Sequence, residues 1–237
     1  MRVRLSLLIL VAPLAVSCGA TSLMIESEGQ RVFNPAYRYF LTWAPRDSWQ
    51  RPDEVVAALA IAPGQSVADV GAGNGYFVDR LSSEVGPTGR VFATDVQLPM
   101  LRDLEARVSD LALANVDVVR GEFDRPALPD ACCDLMLFAN VYKEIDDRVA
   151  YMKRAGAALR AGGRVAILGF RADVRGPGPP AGARLSADDV IQELGEAGFV
   201  LGASHDFLPR QYLLVFEHDS AGLAATSGGG DGASLER

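Results

Sequence analysis

Apolar positions along this chain follow two rhythms that take turns. Short apolar runs stand at 67–70, 91–94, 116–119, 134–138 and 165–168. Runs of this length read as buried strands. Between them the spacing turns helical: Val55, Val56 and Leu59; Phe77, Val78, Leu81 and Val85; Leu101, Leu104, Val108 and Leu111; Val149, Met152, Gly156 and Leu159; Val190, Ile191 and Leu194. The helix boundaries carry their own signals. Pro52 suits a first helical turn, and Asp53 and Glu54 suit its positive end. Ser186 caps a helix opened by Asp188 and Asp189. Ala161-Gly162-Gly163-Arg164 reads as a helix C-terminal turn. Two further runs, 199–205 and 211–217, read as closing strands. Strands alternating with helices predict a doubly wound α/β domain of about seven strands, with helices on both faces.

The stretch that organises the chain is 67–77, VADVGAGNGYF. A buried strand ends in Gly71, Gly73 and Gly75, and an amphipathic helix follows. Glycines let the backbone turn sharply and let a ligand approach it. The helix N-terminus behind them offers free N–H groups. The spacing is G-x-G-x-G, not the G-x-G-x-x-G of pyrophosphate binders. Asp69, two positions earlier, would repel a pyrophosphate and suits a cationic amino-acid tail. Asp95 ends the next apolar run, near the roughly 20-residue spacing at which an acid meets ribose hydroxyls. An amino-acid cation joined to an unphosphorylated ribose describes S-adenosylmethionine. A nicotinamide oxidoreductase is disfavoured by the same glycine spacing.

DVGAGNGYF, TDVQ and AGGRVAILGF resemble the class I S-adenosylmethionine-dependent methyltransferases. The resemblance runs from Trp49 to Glu217. WQRPDEVVAAL and DFLPRQYLLVFE look like one bacterial subgroup of small methyltransferase-domain proteins. It implies a Rossmann-like seven-stranded sheet, mostly parallel with an antiparallel closing strand. It implies a cofactor held by Asp69, Gly71, Ala72, Gly73, Gly75, Asp95, Val96 and Asn140, with Glu122 and Phe123 bordering the adenine. Asp124 competes with Glu122 for that role. Ligands sit at the carboxyl ends of parallel strands, so 140–144 is the stretch expected to face an acceptor. Tyr142 and Lys143 are the candidate catalytic residues. The subgroup is expected to carry a histidine at the position of Lys143. A neutral histidine takes a proton near pH 7, and an ordinary lysine does not. Lys143 then reads as an anion binder, as a lysine neutralised by burial, or as a solvated helix-start residue. The implied activity is methyl transfer to an unidentified small-molecule acceptor. A non-catalytic cell-envelope binding protein that keeps the fold is the rival reading.

The ends change the picture. Residues 1–18 read as a secretion signal, with Arg2 and Arg4 ahead of a short apolar segment. Ala15-Val16-Ser17-Cys18 resembles a bacterial lipobox, which implies a lipid anchor at Cys18 and a place in the cell envelope. An ordinary signal, an uncleaved anchor, or a misplaced start and a cytoplasmic protein are the alternatives. Residues 19–31 read as a polar tether. The stretch 32–49 is dense in aromatics and reads as packing onto the core or as a lid over the cofactor. The domain proper spans 51–218, and 219–237 read as disordered. The loop 171–184, rich in Pro and Gly, lies at a strand's carboxyl end, where it is placed to gate a site.

Composition narrows the partners. Apolar residues make up 49% of the chain, enough for a full core. The net charge is −7 and no Lys/Arg run occurs, so nucleic acid is not an expected partner. Cys132 and Cys133 are adjacent, and one peptide holds their Cα atoms closer than a disulfide prefers. With only two histidines in the chain, no metal site is expected. The sequence carries no signal for oligomeric state.

Overall fold

The computed structural model describes residues 24–218, apart from Glu28, Trp43, Gly176 and Pro177. The signal at 1–18, the anchor at Cys18 and the tail at 219–237 lie outside the described residues.

The described chain opens with a hairpin, β1 (Met24–Ser27) and β2 (Gln30–Phe33), turning at Gly29. Within the stretch read as a tether, Met24–Ser27 and the start of β2 form strand, and residues 19–23 lie outside the described residues. Met24 pairs with Phe33 and Ile25 with Val32, so apolar partners meet across the ladder. Two 3₁₀ segments, Pro35–Thr42 and Ala44–Arg46, lead into α1 (Asp47–Gln50) and α2 (Pro52–Ala58). Arg51 between them is left-handed, with φ of 48°, and turns the chain before Pro52 opens α2.

The domain then alternates as expected: β3 (Ser66–Val70), α3 (Val78–Val85), β4 (Arg90–Asp95), α4 (Leu98–Asp110), β5 (Val116–Arg120), β6 (Cys133–Ala139), α5 (Arg148–Ala155), β7 (Leu159–Phe170), α6 (Ala187–Glu196), β8 (Phe199–His205) and β9 (Gln211–His218). The sheet order is β5-β4-β3-β6-β7-β9-β8. β9 alone runs against the rest, between β7 and β8. The expected seven-stranded sheet with one antiparallel strand is therefore the observed one.

Period-two alternation sorts side chains to the two faces. Leu135 and Leu137 of β6 join Val55, Leu59, Phe77 and Leu81 under α2 and α3. Met136 and Phe138 of the same strand join Met152, Val190 and Leu194 under α5 and α6. Ser186 caps α6 in a reciprocal capping box with Asp189.

One boundary departs from the sequence pattern. The periodicity predicts a helix through Leu159, with 161–164 as its end. The structure stops α5 at Ala155, passes through a 3₁₀ turn at Gly156–Ala158 and starts β7 at Leu159. Tertiary hydrogen bonds explain it. Ala131 N–H donates to Ala157 O at 2.8 Å, Cys132 N–H donates to Ala158 O at 2.9 Å, and Leu159 pairs with Cys133. These bonds draw the segment into the sheet.

Candidate functional site

All the parallel strands end on one rim, and the predicted residues gather there. β3 delivers Asp69 and then the turn at 71–75. Gly71, Gly73 and Gly75 have φ of 71°, 59° and 87°, a region that glycine alone enters without strain. Each is also closely approached by a side chain. An added Cβ would overlap Val141 at Gly71, reach 3.2 Å from Leu41 at Gly73 and 2.8 Å from Leu104 at Gly75. Ala72 N–H donates to Thr94 O at 2.8 Å, which ties the turn to β4.

Asp95, at the end of β4, is buried. Its two oxygens accept from Gly73 N–H at 3.0 Å and Gln97 N–H at 2.9 Å. Burial raises its pKa above the usual carboxylate range, and those backbone donors pull it back. Val96 follows, beside Gly121, whose N–H donates to Asp95 O at 3.0 Å. The end of β5 therefore runs along Asp95 and Val96. Glu122 and Phe123 come next. Glu122 is exposed, and its carboxylate pairs with Arg125 through two bonds of 2.9 Å. Asp124 is exposed as well, and its carbonyl accepts from Arg154 at 2.7 Å.

Asp69 is fully buried, and its Oδ1 has no hydrogen-bond partner among the described residues. Burial raises its pKa to about 7, nearby Arg46 opposes the rise and Asp95 adds to it. Arg46 comes from the N-terminal extension. Its Nε donates to Gln50 Oε1 at 3.1 Å, a second nitrogen donates to Leu41 O, and its guanidinium lies 3.8 Å from the Tyr76 ring centre. Burial lowers its pKa to about 10, so it stays charged at neutral pH. The network continues through Gln50 Oε1 to Asn140 Nδ2 at 3.4 Å, and Asn140 Oδ1 accepts from Gln211 Nε2 at 2.6 Å. Gln50 and Gln211 are both fully buried, and Gln50 Nε2 and Gln211 Oε1 have no partner among the described residues. Asn140 itself is left-handed, with φ of 66°.

The extension covers this turn. Leu41 lies against Gly73, and Asn74 Nδ2 donates to Arg38 O at 2.9 Å. Of its aromatics, Trp49 stacks on Phe170 at 5.5 Å, while Tyr39 and Phe40 stay exposed. The aromatic density therefore packs only in part. Spacing arguments missed Arg46 and Gln211. Each reaches the site through tertiary contacts, and no local pattern marks them.

Tyr142 lies just behind the rim. It is buried, and its hydroxyl donates to Glu193 Oε2 at 2.9 Å on α6. Arg148 holds the same carboxylate at 2.7 and 2.6 Å. Burial and the Glu193 bond push its pKa up, so the phenol keeps its proton. Tyr142 offers its ring to the rim, and its hydroxyl belongs to the α6 contact. Lys143 is half-buried and ion-paired with Glu144. Beyond Asn140 lies a narrow cleft of about 10 Å³, walled by Asn140, Lys143, Phe170, Arg184, Leu185 and Tyr212. A wider hollow of about 550 Å³, beside Pro87 and Asn115, lies at the opposite end of the sheet. Among the described residues no cluster of three or more metal-ligating side chains occurs, and no helix is long and apolar enough to cross a membrane.

Residues 67–163 match the family model described as a methyltransferase domain. A solved S-adenosylmethionine-dependent methyltransferase from Aquifex aeolicus is 26% identical, with a TM-score of 0.76 over 78% of this chain and 99% of its own. Sheet order, glycine turn and match support a class I S-adenosylmethionine-dependent methyltransferase domain, with S-adenosylmethionine as its cofactor. Among named relatives, the ubiquinone/menaquinone biosynthesis C-methyltransferase of Pseudoalteromonas translucida is 28% identical over 52% of this chain and 48% of its own. The arsenite methyltransferase of Halobacterium salinarum is 30% identical over 60% of this chain and 39% of its own. The chain thus spans about half or less of the length of these two relatives.

The buried groups fit that cofactor. Asp69 Oδ1 and Gln211 Oε1 are acceptors without donors, and Gln50 Nε2 is a donor without an acceptor. An amino-acid end carries an ammonium for the first kind and a carboxylate for the second.

Proposed function

We propose that this protein transfers the methyl group of S-adenosylmethionine to a small-molecule acceptor. The observation that carries the proposal is the set of unpartnered buried polar atoms around the glycine turn. Buried polar groups are nearly always paired, so such a set marks a ligand's place.

Asp69, Gly71, Ala72, Gly73 and Gly75 hold the amino-acid end, with Gln50 and Arg46 on its carboxylate. Asp95 accepts from the ribose hydroxyls, once its Gly73 bond gives way. Val96 and Phe123 flank the adenine. Glu122 reaches the adenine amino group by leaving Arg125, an exchange between exposed partners that costs little. Asn140 stands between this pocket and the cleft, so it borders both reactants. Bound there, the cofactor supplies a methyl group already activated on a sulfonium. The protein's work is then alignment and exclusion of water, and positioning can supply much of the rate. Lys143 holds charge at the cleft wall.

Calorimetric titration with S-adenosylmethionine tests the reading. Saturable binding is expected, weakened in Asp95→Ala by about 1.5–3 kcal/mol, the range for hydrogen bonds to a charged group. Unchanged affinity in that variant would overturn the assignment. The same proposal puts the domain in the bacterial cell envelope, held by a lipid at Cys18. Fatty-acid labelling of the full chain, lost in Cys18→Ser, is the expected result; labelling that persists would remove the anchor.

A further inference from the structure

Among the described residues, large apolar side chains reach solvent at Ile25, Tyr39, Phe40, Leu98, Leu111 and Val200. The last three stand far apart in the chain, as scattered surface apolar residues commonly do. The first three fall within 24–42. Tyr39 and Phe40, at 71% and 60% exposure, are the most open of all. They are adjacent on the 3₁₀ segment Pro35–Thr42, which buries none of its side chains. The one cation beside them is already matched. Arg38 lies 4.8 Å from the Tyr39 ring centre and pairs with Asp103 at 2.6 Å. This surface is therefore aromatic and close to neutral.

The chain ahead of it points to what covers it. Residues 5–16 are mostly apolar and carry no charge, and Cys18 follows. Six residue steps separate Cys18 from Met24, so they lie no more than about 20 Å apart. The hairpin then doubles the chain back. Met24 pairs with Phe33, and the 3₁₀ segment starts two residues later at Pro35. A lipid held at Cys18 is thus tied closely to the face that carries Tyr39 and Phe40.

We propose that Tyr39 and Phe40 dock this domain on the surface of a lipid bilayer, with both rings seated among the headgroups. This rests on the Cys18 anchor proposed above. A tyrosine suits that depth, since its ring is apolar and its hydroxyl stays wet. The contact is apolar rather than electrostatic, because Arg38 is neutralised and the net charge is −7. It should therefore hold on zwitterionic lipid and change little with salt. The same segment lies on the glycine turn through Leu41 and Asn74, so the docked face is also the cover of the site.

The test uses the full chain, isolated with its native N-terminal processing and placed on phosphatidylcholine vesicles with or without bromine on the acyl chains. Phe40→Trp adds a reporter within the patch. Leu111→Trp adds one at the far end of α4, next to Ala112 and Leu113 of the opposite hollow. The Phe40→Trp indole should lose about half of its added emission to the brominated lipid, as expected of a ring about 5–10 Å into the headgroup boundary. The loss should be the same at low and high salt. The Leu111→Trp indole should lose none. Unquenched Phe40→Trp on vesicles that carry the chain, or equal quenching at both positions, would overturn the docking and leave the anchor standing. Quenching at Phe40→Trp in a chain without fatty acid at Cys18 would support the docking and remove the anchor. A chain that does not float with the vesicles would overturn both. An emission shift at Phe40→Trp that needs no lipid and follows protein concentration would give the patch to a second copy and overturn the proposal.

Discussion

Asp69 shows how one buried acid can set a working pH. Its folded pKa of about 7 lies above the roughly 3.9 of a free aspartate. Between those values the folded state binds the extra proton, so stability is greatest below about pH 4 and falls as pH rises to about 7. Asp69→Asn cannot ionise. Without cofactor it should be more stable than the wild type at pH 8 and nearly equal at pH 4, as denaturant titration at both values will show. Binding runs the other way, because an ammonium favours the ionised carboxylate. Cofactor affinity should therefore rise with pH up to about 7 and then level. Below that point binding should release a proton, which calorimetry in buffers of different ionisation heats detects. At this scale Asp69 and Asp95 were legible from their distance to the glycines. Arg46 and Gln211 were not, because packing brings them in from remote parts of the chain. The bond from Tyr142 to Glu193 joins the turn after β6 to α6 in the same way, and nothing near Tyr142 in the sequence announces it.

The glycine turn works as an element because its three positive φ values meet three close neighbours. Gly71→Ala would force an L-residue into the left-handed region and push its Cβ into Val141. We expect a loss of about 1–3 kcal/mol in unfolding free energy, the range for a strained backbone position. The 140–144 segment should shift with it, and circular dichroism melting with cofactor titration will check both. Below the same rim, Tyr142→Phe removes the hydroxyl from Glu193 and leaves the Arg148 pair intact. It should cost about 1.5–3 kcal/mol of stability and leave the pH dependence of turnover unchanged. A pH profile that moved would return Tyr142 to the chemistry. Element existence and type were legible throughout the domain, because periodicity and caps agree. The end of α5 was not. A helical rhythm continues through Leu159, and only bonds from 131–133 decide that the sheet takes that residue.

The whole molecule places its chemistry on one rim of the sheet, with the N-terminal segment folded over it. The hairpin at 24–33 escaped the sequence because its polar residues mask two apolar pairs. The covering role of the aromatic stretch was legible, while its anchors, Leu41 and Arg46, emerged only from the fold. Cofactor binding should slow amide hydrogen exchange across 35–50 more than at any helix on the sheet faces, since that segment closes the site. Equal protection everywhere would mean that the segment is static cover. The antiparallel course of β9 has a practical corollary. β9 begins at the rim with Gln211 and carries the backbone to His218, at the far end of the sheet. The described segment before β3 lies over the glycine turn, and the last described strand finishes away from it. A fluorophore, surface linker or fusion partner joined after His218 should thus leave the pocket undisturbed. The same attachment ahead of Met24 would pull on its cover.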